Sequence, residues 1–334
     1  MDPRSSAPKA GATDAITSML TTYNDLNSSN IDELTFTPSP LEFMRFVSRN
    51  RPFIVRGGAS TWTAAKIWNV ARLKERMGDA TVEVAVTPKG NADSPTTDEE
   101  GNLIFAKPHV EEQDFGEFID FVTRQEKSGI RRNEGEEIRY AQTRINPPFS
   151  FSSPVESEER PLTPKPQNIE NDNLRNEYAP LFSDVEKDIP WARIALQQHP
   201  EAINLWIGNS HSVTALHKDN YENIYVQVLG KKHFVLLPPL AYACVAEREL
   251  TPASYVRAGD GSGRLEISRE EGEKVPFATW DPDGGGAETK YEKYARPMRF
   301  VLNGGDMLYL PALWYHKVSQ SCNEEGICCA VNYW

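Results

Sequence analysis

The chain has 334 residues, 39% of them hydrophobic and 25% charged, and carries a formal net charge of −12 from 36 basic and 48 acidic side chains. That length and composition suit a soluble globular protein with a sizeable core, and no window approaches the roughly 20 apolar residues that a membrane span needs. The acidic balance argues against a nucleic-acid partner, which calls for a concentrated basic surface, and fits either a solvated surface that keeps the chain soluble or a basic protein or peptide partner.

The first residues, MDPRSSAPKAGATDA, contain no apolar signal segment and read as a disordered tail. Ile16, Met19, Leu20 and Tyr23 then recur at helical spacing, so residues 1–35 are expected to form a tail and a helix. An α+β region is expected over residues 36–146. It begins with a helix at Pro38–Arg49 whose start is marked by proline, followed by a short strand in RPFIVRGG. The pattern predicts one helix over Trp62–Met77, an alternating strand over Thr81–Val86, and a polar loop over residues 88–101. Residues 147–175 are rich in Pro, Ser, Glu and Asn, bury little apolar surface, and read as a mobile insertion.

Residues 176–334 are expected to form the catalytic core. From about residue 203 come INLWIG, SVTALHKD, NIYVQVLG, KHFVLLPP, MRFVLNGGDMLYLP, WYHKVSQS and ICCAVNYW, separated by Gly, Asn or Pro. That density of short β-branched and aromatic segments predicts a mainly β fold with flanking helices, a double-stranded β-helix of the cupin or jelly-roll type. The excursion over 241–298 reads as a rim insertion between strands. Four cysteines without disulfide spacing fit a reducing compartment, cytoplasmic or also nuclear.

The chemistry concentrates in SVTALHKDNYEN. His217 and Asp219 lie two apart in a strand, so they share a face and are able to share one divalent ion. His316, on a distant strand, is the candidate third ligand. Two histidines and a carboxylate leave about half of an octahedral shell open, the arrangement of non-haem Fe(II) oxygenases. The His-x-Asp pair alone is a common chance pattern, and His109, His199, His211 and His233 fit no comparable one. The surroundings add weight. Lys232 follows in GKKHFVLLPP, and a lysine turned into a barrel needs an anion, for which a dicarboxylate is suitable. Thr214 is placed to donate to the same carboxylate, and the amides of Asn223 and Asn332 are placed for a keto-acid end. Taken singly, each of these also reads as an ordinary turn or ladder residue.

The run LWIG…VTALHKDNYENIYVQVLGKKHFVLLPP, with GDMLYLPALWYHKV and AVNYW, resembles the catalytic core of jumonji-C Fe(II)- and 2-oxoglutarate-dependent oxygenases, and is most similar to their small hydroxylase branch. The resemblance extends through PSPLEFMRFVSRNRPFIVRGG, VEVAVTPKGNADS, ELTPASY and KVPFATWDP, covering nearly the whole chain. It implies His217, Asp219 and His316 as iron ligands. It further implies Lys232, Thr214 and Tyr140 around the distal carboxylate of 2-oxoglutarate, Asn223 and Asn332 near its metal-bound end, and Trp334 in the pocket wall. The implied reaction uses O2 and 2-oxoglutarate, releases succinate and CO2, and hydroxylates a lysine C–H of a protein substrate, by family analogy a developmentally regulated GTP-binding protein. Histone lysine demethylation and a peptidase activity are the competing enzyme readings, and a cupin-type binding module is the competing non-enzyme one. Residues beyond the Asn-Tyr-Trp strand form a homodimer in this branch, whereas this chain stops at Trp334. Asp98, Glu99, Glu100, Glu111 and Glu112 are expected to form either an acidic rim attracting a cationic side chain or a solvated loop.

Overall fold

Eight short strands dominated by β-branched and aromatic residues build the centre of the molecule in the computed structural model, which describes residues 14–128, 136–142, 172–284, 286 and 288–334. They are β1 (Ile203–Gly208), β2 (Thr214–Lys218), β3 (Asn223–Leu229), β4 (Lys231–Leu237), β5 (Met298–Asn303), β6 (Met307–Leu310), β7 (Tyr315–Ser321) and β8 (Cys328–Tyr333). One sheet runs in the order β6-β3-β8-β1 and the other β5-β4-β7-β2, and every neighbouring pair is antiparallel. This is the expected cupin-type double-stranded β-helix. Phe234, Leu236, Leu308 and Tyr225 pack in one cluster of the core. Phe43, Phe53, Trp62 and Val331 belong to another, which joins the N-terminal elements to the first sheet. β3 and β8 are buried along almost their whole length for that reason.

The expected elements before residue 102 form with two differences. The helix Pro40–Ser48 starts on a capping box: Glu42 N–H donates to Ser39 Oγ at 3.3 Å while Ser39 N–H donates to Glu42 Oε2 at 2.8 Å. The single helix predicted over Trp62–Met77 is instead two, Thr63–Ile67 and Val70–Met77. Asn69 breaks it, taking an extended conformation and capping the second helix by accepting from Arg72 N–H at 2.8 Å. The stretch 88–101 is not wholly loop, because Ser94–Thr97 forms a strand paired with Leu103–Lys107. Its buried residues are Ser94 and Thr96, so no apolar alternation announces it.

Most of the insertion predicted over 147–175 lies outside the described residues, but its last part does not behave as an insertion. Asp172, Asn173 and Leu174 are buried. Asp172 Oδ1 accepts from Ile203 N–H at 2.9 Å and Asn173 Oδ1 from Leu205 N–H at 2.7 Å. These side chains satisfy the free edge of β1 as another strand would. The excursion over 241–298 contains the strands Glu247–Arg257, Leu265–Arg269 and Val275–Ala278. The first of them pairs in parallel with Leu103–Lys107, tying the excursion to the N-terminal region beside the mouth of the barrel. No helix among the described residues is long and apolar enough to cross a membrane.

Asp306, buried in the β5–β6 turn, fixes the N-terminal region to the core. Its carboxylate accepts from Gly57 N–H and Asn303 N–H, both at 2.9 Å, and pairs with Arg56 at 2.7 Å. Asp306→Ala leaves two backbone N–H groups unpaired and leaves Arg56 with Glu33 as its remaining acidic partner. A loss of about 2–4 kcal/mol in unfolding free energy is expected, read as a lowered midpoint in urea with an unchanged slope.

Candidate active site

Register brings the triad together. β7 pairs with β2 so that His316 stands opposite His217, with a bulge immediately after in which Val318 pairs with Thr214. Asp219 follows the end of β2, and its carbonyl accepts from Leu313 N–H at 2.7 Å, pinning the backbone where the chain turns. Asp219 Oδ1 lies 3.8 Å from His217 Nε2, and its Oδ2 lies 3.5 Å from His316 Nε2. The two imidazole centroids are 4.1 Å apart. The three donor atoms lie within 4.8 Å of one another, close enough to surround one ion.

The second nitrogen of each ring settles the tautomer. His217 Nδ1 donates to Ala215 O at 2.8 Å and His316 Nδ1 to Trp314 O at 3.0 Å. A carbonyl only accepts, so each Nδ1 carries hydrogen, and in the neutral ring Nε2 is then the nitrogen with a lone pair to offer a metal. Burial, reinforced by the neighbouring His217, pushes His316 down to about 4, which keeps that lone pair free at neutral pH. Phe277 stacks on the His217 ring at 6.5 Å between centroids. Two imidazole lone pairs and a carboxylate converging in a partly buried space repel one another unless a cation joins them. The donor set therefore fits a divalent metal of the Fe(II) type.

Lys232, on β4, is 3% exposed, and its ammonium donates to Tyr140 Oη at 2.9 Å. Burial works against the charge, but the oxygens of Tyr140 and Tyr225 outweigh it and hold the pKa above the ordinary lysine value. Burial also raises the pKa of Tyr140, so that phenol is neutral. Among the described residues no carboxylate pairs with this ammonium, and a buried, incompletely compensated cation beside a metal triad is a fitting seat for an anionic co-substrate. Tyr140 reaches it because Gly208 of β1 has no side chain; a Cβ there would lie 2.2 Å from the ring's Cδ2. Asn332 Nδ2 donates to Asn223 Oδ1 at 3.2 Å, while Trp206 Nε1 donates to Asn332 Oδ1 at 2.9 Å. Both amides are thereby held in fixed orientations.

One cavity is lined by all the metal-ligand and co-substrate candidates named from the sequence, and by Trp334: His217, Asp219, His316, Tyr140, Thr214, Asn223, Lys232 and Asn332. It is also lined by Asp93, Gln142 and Trp206, which carried no motif of their own. Trp206 was legible as a large aromatic on the strand before the triad, and Asp93 lies in the VEVAVTPKGNADS run that carries the resemblance, without a role attached to it there; Gln142 gave no signal. A larger cleft of about 280 Å³ adjoins it, sharing Asn223 and Trp334, with Tyr221 stacked on Trp334 at 5.2 Å. The acidic rim is largely committed elsewhere. Asp98 and Glu100 pair with Arg269, and Glu111 pairs with Arg257, leaving Glu99 and Glu112 as exposed acids of that set.

A family model for the cupin-like domain matches residues 38–334. The chain is 33% identical over 317 residues to Lysine-specific demethylase JMJ32 of Arabidopsis thaliana, covering 92% of this chain and 81% of the relative. It is 33% identical over 300 residues to the human Bifunctional peptidase and (3S)-lysyl hydroxylase JMJD7, covering 89% and 81%. JmjC domain-containing protein E of Dictyostelium discoideum is 30% identical over 321 residues, covering 89% and 81%.

Gly208→Ala tests the close approach on which the Lys232 seat depends. The added methyl displaces the Tyr140 ring and costs about 1–3 kcal/mol in a denaturant titration. Metal affinity measured on the same variant stays at the wild-type value, because the triad belongs to β2, β7 and the turn after β2.

Proposed function

We propose that this chain, which belongs to the cupin-like jumonji-C family of 2-oxoglutarate oxygenases, hydroxylates a lysine C–H bond in a protein substrate, using Fe(II), 2-oxoglutarate and O2. The observation that supports the oxygenase chemistry best is the pairing, in one cavity, of a two-histidine, one-carboxylate triad with a buried lysine lacking a carboxylate partner among the described residues. When bound, the iron couples decarboxylation of 2-oxoglutarate to succinate and CO2 with oxygen insertion into a substrate C–H bond.

In this reading the protein's own groups act by position and charge. His217, Asp219 and His316 hold the metal, the rings fixed by their Nδ1 hydrogen bonds. Lys232, Tyr140 and Thr214 take the distal carboxylate, and the preset amides of Asn223 and Asn332 face the keto-acid end. Trp206 and Trp334 line the wall and limit access of water, which strengthens every charge interaction inside. The adjoining cleft, which has Glu201 and Glu222 on its lining, offers room for polypeptide flanking the target residue. The net charge of −12 attracts a basic segment to it. A developmentally regulated GTP-binding protein is the first substrate to assay.

Demethylation is the second reading, favoured by the plant relative that bears that name at the same 33% identity. Mass spectrometry of lysine-containing and methyl-lysine-containing peptides, incubated with Fe(II), 2-oxoglutarate and O2, separates the two. Gain of one oxygen on lysine is expected; loss of a methyl group supports demethylation, and backbone cleavage supports a peptidase. Succinate formation is expected to vanish in His217→Ala, and persistence at the wild-type rate would sink the oxygenase reading. Lys232→Met is expected to weaken 2-oxoglutarate binding by on the order of a hundredfold. Its melting temperature should be equal or higher, because an incompletely compensated buried charge is removed.

A further inference from the structure

Charge accounting in the cavity leaves one group without a role. In the proposed loaded state the divalent iron and Lys232 supply three positive charges, and Asp219 with the 2-oxoglutarate dianion supplies three negative ones. Asp93 lines the same cavity, is only 6% exposed, and is not needed to hold either cofactor or co-substrate. Its one hydrogen-bond donor among the described residues is Gln142 Nε2, at 2.9 Å from Oδ2. The nearest cation acting on it is Lys107, which is itself engaged by Glu270 at 2.7 Å. Burial pushes the Asp93 carboxyl up to about 7, against the pull of Gln142 and Lys107, as befits a carboxylate short of a counter-ion.

The loop that carries Asp93 is fixed in place. Gly90 O accepts from Val213 N–H at 2.8 Å, next to the strand bearing Thr214 and His217, and Gly90 N–H donates to Thr87 Oγ1 at 2.8 Å. At φ +71°, with His211 O where a Cβ would stand, only glycine allows this approach. Ser94 Oγ donates to Asn91 O at 2.7 Å on the other side of the loop. Asp93 is thus a rigidly presented, buried carboxylate on the wall of the reaction cavity.

We propose that Asp93 is the specificity-determining group of this site, receiving the unmethylated ammonium of the substrate lysine beside the metal triad. This rests on the lysine reading above and deepens it. The carboxylate accepts N–H hydrogen bonds, so it favours an ammonium that retains its hydrogens and discriminates against a trimethylated one, which has none to donate. Anchoring the nitrogen at the cavity wall leaves the methylene chain, and not a nitrogen-bound methyl, to face the triad. Gln142 donates to Oδ2 and leaves Oδ1 without a hydrogen-bond partner among the described residues.

The test uses the full-length protein loaded with manganese(II) and 2-oxoglutarate under argon. The probes are Nα-acetyl-lysine methylamide, its norleucine counterpart and its Nζ-trimethylated counterpart. Binding is read from paramagnetic broadening of each probe's side-chain protons by NMR titration. The wild-type protein is expected to bind the lysine probe at least about tenfold more tightly than the other two. Asp93→Asn, isosteric and suited to the positive φ of 49° at this position, is expected to abolish that preference while norleucine and manganese affinities stay unchanged. Asp93→Ser gives the same reading should the asparagine variant fail to fold. If the preference for lysine persists without the carboxylate, the role of Asp93 is overturned and the lysine reading stands. If the trimethylated probe matches lysine, recognition belongs to the aromatic walls and the proposal falls. If wild type shows no preference at all, the lysine reading falls with it.

Discussion

The pairing of His316 opposite His217 across β7 and β2 is the constraint to which the rest of the site is fitted. Side chains alternate along a strand, so a slip of one residue would turn either ring to the opposite face and dissolve the triad. Several distant contacts hold that register. β7 is flanked on its other side by β4, where Leu236 stands opposite His316. The turn before β7 is locked by the Leu313–Asp219 bond and by Trp314, whose indole N–H donates to Asn50 O at 2.9 Å. The metal site is thus held by sheet geometry and only finished by side chains, which is how three ligands from two distant parts of the chain keep a spacing of a few ångströms.

Two buried charges show how differently the protein treats structure and chemistry. Asp306 is surrounded by an arginine and two backbone donors, and its charge is matched on all sides. Lys232 is equally buried but meets the phenols of Tyr140 and Tyr225 and, among the described residues, no carboxylate, so the folded state carries a cost that a bound anion relieves. Stability given up at such a position marks where binding energy is to be recovered. The same logic separates Asp172, whose carboxylate serves β1 and Arg175, from Asp93, whose surroundings supply one amide.

The sequence made legible what repeats at a period. The His217–Asp219 spacing, the strands of the β-helix and the proline-marked helix start all follow from local geometry, and each takes the expected place. Positions whose meaning depends on three dimensions stayed hidden. Ser94 and Thr96 form a strand without apolar alternation because their neighbours accept small polar side chains. Asp172 and Asn173, in a stretch that reads as mobile, act as substitutes for a strand edge. Asn69 reads as one more polar residue in a helical pattern until its cap is seen. Asp93 lies in the VEVAVTPKGNADS run that carries the resemblance, yet nothing in that run marks it as a site residue, since its significance lies in what fails to surround it. Tyr140 was implied by resemblance, but the reason it reaches Lys232 sits sixty-odd residues away, in the bare backbone of Gly208.

The N-terminal strand Phe53–Val55 lies along β6, and Asp32–Leu34 lies along that strand in turn. Phe53, Ile54 and Val55 are fully buried there, while Asp32 and Glu33 on the outermost strand are exposed. Without them, β6 would present an apolar ladder of open hydrogen-bonding groups, a template on which another copy of the chain could add a strand. The N-terminal region closes that template with a short strand, and the two acids at its outer margin, Asp32 and Glu33, are paired with Arg51 and Arg56. Covering β6 in this way removes from the side of the barrel a surface on which strands could be added.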